Sequence, residues 1–126
     1  MKKLLALVAI SALVTGCAST PSDPFAKFAP WKPVAVSAAT DIVYLVEPSS
    51  KKQVAPGVYK IWTKNTKDLN TWALDVVDCN SEQTATSQIV MFNNKGIALD
   101  PIKIDSKFSK PIFGTVGYGI ITYICK

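Results

Sequence analysis

SKPIFGTVGYGIITYICK, residues 109–126, is the stretch whose reading decides the fold. As a strand it makes the chain all-β; as a helix it makes an α+β domain. Glycines at 114, 117 and 119 and many β-branched residues argue for a strand, because a glycine inside a helix costs about 0.5–1 kcal/mol against alanine. Against this, Phe113, Val116, Ile120 and Tyr123 recur at helical spacing, with Ile112 and Ile124 beside them, and Ser109 is placed to act as an N-cap. The pattern alone divides evenly between the two.

Upstream of this tail the period is two. From Trp31 onward, runs rich in valine, isoleucine, threonine and aromatics predict strands near 32–38, 41–47, 56–64, 71–80 and 85–92. In VYKIWTK, Tyr59, Ile61 and Thr63 share one face while Val58, Lys60 and Trp62 share the other. MFNNKGIAL reads as a hairpin, since Asn93, Asn94 and Gly96 tolerate positive φ and apolar residues flank them. A short sixth strand at 96–99 would complete an antiparallel meander.

The other end of the chain carries a different signal. Lys2 and Lys3 precede an apolar core from Leu4 to Val14, followed by the small residues Thr15 and Gly16. This is the order of a secretory signal, and a core of about 11 residues falls short of the roughly 20 that a membrane helix needs. Val14-Thr15-Gly16-Cys17 resembles the lipobox of bacterial lipoproteins, in which the cysteine is acylated and begins the mature chain. On this reading residues 1–16 are a removed signal peptide and Cys17 is the lipidation site. Residues 17–30, rich in proline, serine and alanine, are a flexible tether, and residues 31–126 are the folded domain. About 13 flexible residues span roughly 20 Å, so the domain stays near its membrane. Ala18, with no aspartate in its place, resembles the pattern of lipoproteins exported to an outer membrane. A plain signal peptide with a chance cysteine is the alternative. It would leave an odd third cysteine in an oxidising compartment, whereas lipidation consumes Cys17 and leaves Cys79 and Cys125.

Composition removes several function classes. All 14 basic residues are lysine, against 9 acids, and there is no histidine. Without histidine the commonest general base and metal ligand are missing, so histidine-based triads and Cys/His zinc sites cannot be built. Without arginine the best bidentate reader of phosphate is missing too. The net charge of +5 is not gathered into the basic stripe that nucleic-acid binding requires. No cofactor, no nucleic-acid partner and no enzymatic activity are expected.

The order of features then becomes recognisable: an early tryptophan, DIVYLVEPSS, the strand VYKIWTK, then DVVDCN, a strand leading into NNKG, and a final cysteine. In this order residues 31–126 resemble the surface-adhesin protein E family, small lipoproteins of Gram-negative bacteria. The resemblance implies a C-terminal helix packed on an antiparallel sheet and a bond between Cys79 and Cys125, and it tips the tail toward helix. The expected fold is therefore α+β: a five- or six-stranded antiparallel meander with a C-terminal helix, linked by that disulfide. Oxidation of two cysteines in an exported domain is expected independently. Closing a loop of about 46 residues stabilises by roughly 4 kcal/mol in the chain-entropy model. Two buried free thiols are the alternative.

The remaining constellations read more plainly as structure than as chemistry. Asp75 and Asp78 lie at odd spacing and face opposite ways along a strand, as solvated or turn-edge residues. Ser49-Ser50-Lys51-Lys52 matches Ser-x-x-Lys, but the other penicillin-recognising motifs are absent and a polar loop explains it better. Lys51 and Lys52 could touch an anionic partner or be a solvated loop tip. Trp31, Trp62 and Trp72 could form a contact patch, with Trp62 its candidate binding residue, or fill the core of a small sheet. The function implied by the resemblance is binding of host extracellular-matrix or serum proteins by an outer-membrane lipoprotein. The rivals are a periplasmic binding or lysozyme-inhibitor lipoprotein and a structural envelope lipoprotein.

Overall fold

A computed structural model of the chain describes residues 26–112 and 115–126. The leader, Cys17 and most of the expected tether lie outside these residues, as does Phe113. Ala26–Phe28 form a 3₁₀ turn, and the backbone N–H of Trp31 donates to Phe28 O at 2.9 Å, so the last part of the expected tether joins the domain.

The described residues form a seven-stranded antiparallel sheet and one helix. The strands are β1 (Lys32–Val36), β2 (Val43–Val46), β3 (Lys52–Ala55), β4 (Val58–Asn65), β5 (Asp68–Asp78), β6 (Gln83–Met91) and β7 (Ile102–Lys103); the helix is α1 (Val116–Cys125). The order across the sheet is β1-β2-β4-β5-β6-β7, with β3 also pairing β4. The α+β meander with a C-terminal helix is thus the observed fold, with one strand more than the larger number expected.

Neither β3 nor β7 is among the expected strands, and the cause of β3 is a turn. Pro56 and Gly57 join β3 to β4 in two residues; Gly57 has φ +73°, which a proline-glycine pair accommodates and most side chains would not. β2 and β3 lie along the same edge of β4, facing Thr63–Asn65 and Val58–Lys60 respectively. Between them Pro48–Ser50 form a 3₁₀ turn, and the Ser50 hydroxyl accepts from the Trp62 N–H at 2.9 Å where the ladder is interrupted. Ser49, read as part of Ser-x-x-Lys, donates from its hydroxyl to Glu47 Oε2 at 2.6 Å within the same turn.

The hairpin at Asn93–Gly96 forms, but the strand expected at 96–99 does not. Asn93 Oδ1 accepts from the N–H groups of Lys95 and Ile97, and Gly96 takes φ +76°. After one bridge, Phe92 to Ala98, the chain leaves the ladder at Asp100-Pro101, where proline offers no N–H. Pairing resumes only at β7, against Gln88 and Ile89.

The tail is a helix from 116 onward, capped by Thr115 rather than Ser109. The Thr115 hydroxyl accepts from Tyr118 N–H, while Ser109 pairs its backbone with Thr84. Two of the glycines that argued for a strand, Gly117 and Gly119, serve close packing. A Cβ on Gly119 would lie 2.9 Å from Ala35 Cβ and 3.0 Å from Val34 O, so the missing side chain lets the helix rest directly on β1. Ile120, Ile121 and Ile124 bury against Val46, Ile61 and Val77, with Tyr59 and Val34 beside them. The Cys79–Cys125 disulfide ties the end of β5 to the end of the helix across 5.5 Å between Cα atoms.

The opposite face of the sheet is closed by aromatics. Trp72 packs edge-on against Trp31 with centroids 4.9 Å apart, lies 6.2 Å from Trp62 and 4.5 Å from Phe92. Leu45 and Val90 are buried in the domain, as is Trp31 itself. A core role for the three tryptophans is what this packing provides.

Candidate functional site

A ten-residue helix is about 15 Å long, whereas an eleven-residue strand reaches about 37 Å. The helix therefore cannot cover its whole side of the sheet. Where it stops, the sheet carries a groove of about 550 Å³. Its floor is made by inward positions of β4, β5 and β6: Thr63, Ala73, Asp75, Thr84 and Thr86. Val116, Gly117 and Ile120 of the helix form one wall, and the extended segment carrying Ser106, Lys107 and Ser109 forms the other.

That outer segment is held by backbone and hydroxyl bonds. Ser109 exchanges both backbone bonds with Thr84 at 3.0 Å, and the Ser106 hydroxyl accepts from Thr86 N–H at 2.7 Å and donates to Thr86 O at 2.9 Å. Next to this contact an extra residue, Ser87, interrupts the pairing of β6 with β5 between Leu74 and Asp75.

Asp75 is the one acid on the groove floor between its two hydroxyl partners. Thr63 donates to its Oδ2 at 3.0 Å and Thr86 to its Oδ1 at 2.9 Å. Burial pushes its pKa above the ordinary aspartate value, and the hydrogen bonds from Thr86 and Thr63 only partly offset this. The expectation that Asp75 is solvated is therefore overturned. The odd spacing to Asp78 does put the two on opposite faces, but alternation with buried Val77 sends Asp75 inward. ALDVV carried that signal. Asp78 is at the turn edge as expected; the Ser81 hydroxyl, and then the Asn80 N–H at 2.9 Å, hold its carboxyl below the ordinary value.

The residues singled out from sequence lie elsewhere. Lys51 donates from Nζ to Ile124 O at 3.0 Å and sits 4.7 Å from the Tyr59 ring centroid, so its charge caps the negative end of the helix. Lys52 is exposed on β3, opposite Lys60. Trp62 is half-buried in the aromatic layer on the far side of the sheet from the groove. The structure does not bring these three together. Lys64 adds its amine to that layer, 4.2 Å from the Trp31 ring centroid, and burial lowers its pKa. Among the described residues no three Cys, Asp or Glu side chains gather as metal ligands, and no helix is long and apolar enough to cross a membrane.

Comparison with protein-family models, curated proteins and solved structures finds no match to this chain.

Proposed function

We propose that the protein is an exported envelope lipoprotein, anchored by acyl chains on Cys17, whose disulfide-clamped domain binds a partner protein as an adhesin does. The observation that carries this reading is the use of the cysteines. Cys79 and Cys125 are spent on one bond, which suits an oxidising compartment, and the third cysteine stands directly after a leader of lipoprotein type. Several acyl chains hold a protein on a membrane where one is marginal, at about 0.8 kcal/mol per buried methylene. A binding role is supported by the groove, which sets a polar floor beside an apolar wall. The partner class that the family resemblance suggests is host matrix or serum protein at the outer surface.

Two measurements test the reading. Mass spectrometry of the protein from membranes is expected to find a chain that begins at an acylated Cys17, and Cys17→Ala is expected to release it from the membrane fraction. On intact cells, an added protease or an antibody against the domain is expected to reach it, with lysed cells as the control. Protection on intact cells would rule out the adhesin and direct the search to periplasmic partners.

A further inference from the structure

We propose that the groove is a binding site for a cationic side chain, a lysine ammonium or an arginine guanidinium presented by a partner polypeptide, with its stem along Val116 and Ile120 and its charge at Asp75. Three features of the groove lead there.

The first is an unbalanced charge. Asp75 is half-buried, and carboxylates drawn away from water are ordinarily paired. Among the described residues Asp75 accepts from two neutral hydroxyls and pairs with no cation; the one ion pair there is Lys110 with Glu82, at 3.9 Å on the exposed surface. A carboxylate accepts about four hydrogen bonds, so about half of its capacity is not used by these two hydroxyls, in a residue that lines the groove. The second is shape. A lysine or arginine carries a long apolar stem and a charged head, and the groove pairs the apolar Val116 and Ile120 of its helix wall with Ala73 and the Asp75 carboxyl on its floor. A compact hydrated cation would leave that wall unused. The third is size: about 550 Å³ lies within the range of roughly 300–1,000 Å³ for ligand sites, and leaves room for backbone flanking the inserted side chain.

The other charged residues that line the groove do not already supply the cation. The Lys64 amine lies over Trp31 and Trp72. The carboxylate of Asp68 accepts from Asn70 N–H and the Thr71 hydroxyl. Lys107 stands on the outer wall with no ion pair to Asp75, and its charge works against a bound cation.

This inference rests on the reading of the domain as a binding module, but the two fail separately: cation binding is measured on the purified full chain in detergent, envelope location on cells. The probes are acetyl-Gly-Lys-Gly-amide, its arginine and norleucine counterparts, and spermidine as a cation that is not a polypeptide. Binding is read by calorimetry and by the carboxyl ¹³C resonance of Asp75. The lysine and arginine peptides are expected to bind at least about tenfold more tightly than the norleucine peptide, the gain of a hydrogen bond between charged groups. The Asp75 resonance is expected to move, and its titration midpoint to fall, because a nearby cation favours the ionised form. Asp75→Asn should abolish the preference for the charged peptides, and Lys107→Gln should strengthen their binding about two- to threefold by removing a like charge. Equal binding of the norleucine peptide, a still Asp75 resonance, or a preference that survives Asp75→Asn overturns the proposal. Tighter binding of spermidine than of the lysine peptide overturns its polypeptide part. Should Asp75→Asn fail to fold, the resonance in the unaltered protein and Lys107→Gln decide.

Discussion

The two halves of the helix side of the sheet are built from different chemistry. Under the helix the facing side chains are Val46, Ile61, Val77, Ile120, Ile121 and Ile124, all buried, and the disulfide closes the end. Beyond the first turn of the helix the same strands present Thr63, Asp75, Thr84 and Thr86 to a groove. Ile61 and Thr63 are two residues apart on β4, and Val77 and Asp75 two apart on β5, so the change from apolar to polar happens within one step of the pleat. Hydrophobic burial accounts for the first half. It gives no reason for a carboxylate in the second, and a desolvated acid that stability would not choose is what a binding site is expected to contain.

The contrast breaks most completely if the clamp is removed. Cys79→Ser and Cys125→Ser are each expected to cost on the order of 4 kcal/mol, the loop-closure value for about 46 residues. They should do so equally, with the double variant no worse than either single one. Thermal melts check this, and unequal losses would count against a shared bond. Next in size is the helix seat. Gly119→Leu places a side chain where even a Cβ meets Ala35 and Val34, and overpacking of this kind costs about 1–3 kcal/mol. This exceeds the gain of about 1 kcal/mol in helix propensity. A leucine there that stabilised the domain would show that the helix does not rest on β1. Smaller still is the cap: Lys51→Met should lose up to about 1 kcal/mol through the Ile124 carbonyl and the Tyr59 ring. Lys52→Met should lose almost nothing, and denaturant melts of the pair separate capping from general charge.

How much of this was legible in the sequence follows from which interactions are local. Period-two runs gave the long strands, because alternation is a property of a few consecutive residues. Asn93 to Gly96 gave the hairpin for the same reason. The strand Lys52–Ala55 was missed although Pro56-Gly57 announces its turn, since the residues before it, Ser49 to Lys52, read as a polar loop. The helix was undecidable locally, because Gly117 and Gly119 lower helix propensity for reasons outside the helix itself, in Pro111 just before it and in β1, far away in sequence. Lys51 could not be matched to Ile124, 73 residues later, by any pattern. Nor could a groove be foreseen, since it arises from the helix being shorter than the strands it crosses. Asp75 alone was within reach: its parity with Val77 fixes its direction, but polarity suggested solvent, and direction prevailed.

The smallest expected effect bears most directly on the comparison, because its sign differs from the others. Burial raises the pKa of Asp75 in the folded protein above its unfolded value, so the ionised form is disfavoured by folding. Between the two pKa values the native state binds more protons than the unfolded state, and stability falls as pH rises through that window. The cost is absent below the unfolded pKa and complete above the folded one. Asp75→Asn removes the charge and keeps the shape, and Thr63 can still donate to Ala73 O, 3.4 Å away, while accepting from the new amide. The variant is therefore expected to melt higher than the unaltered protein near pH 7, with the difference shrinking to nothing as pH is lowered through the carboxylate range. A lower melting temperature at neutral pH would mean that the Thr63 and Thr86 bonds outweigh the desolvation of the charge, and that Asp75 belongs to the stabilising half of the sheet after all. A higher one would mean that the groove keeps its carboxylate at the expense of stability, as a carboxylate kept for a ligand would be.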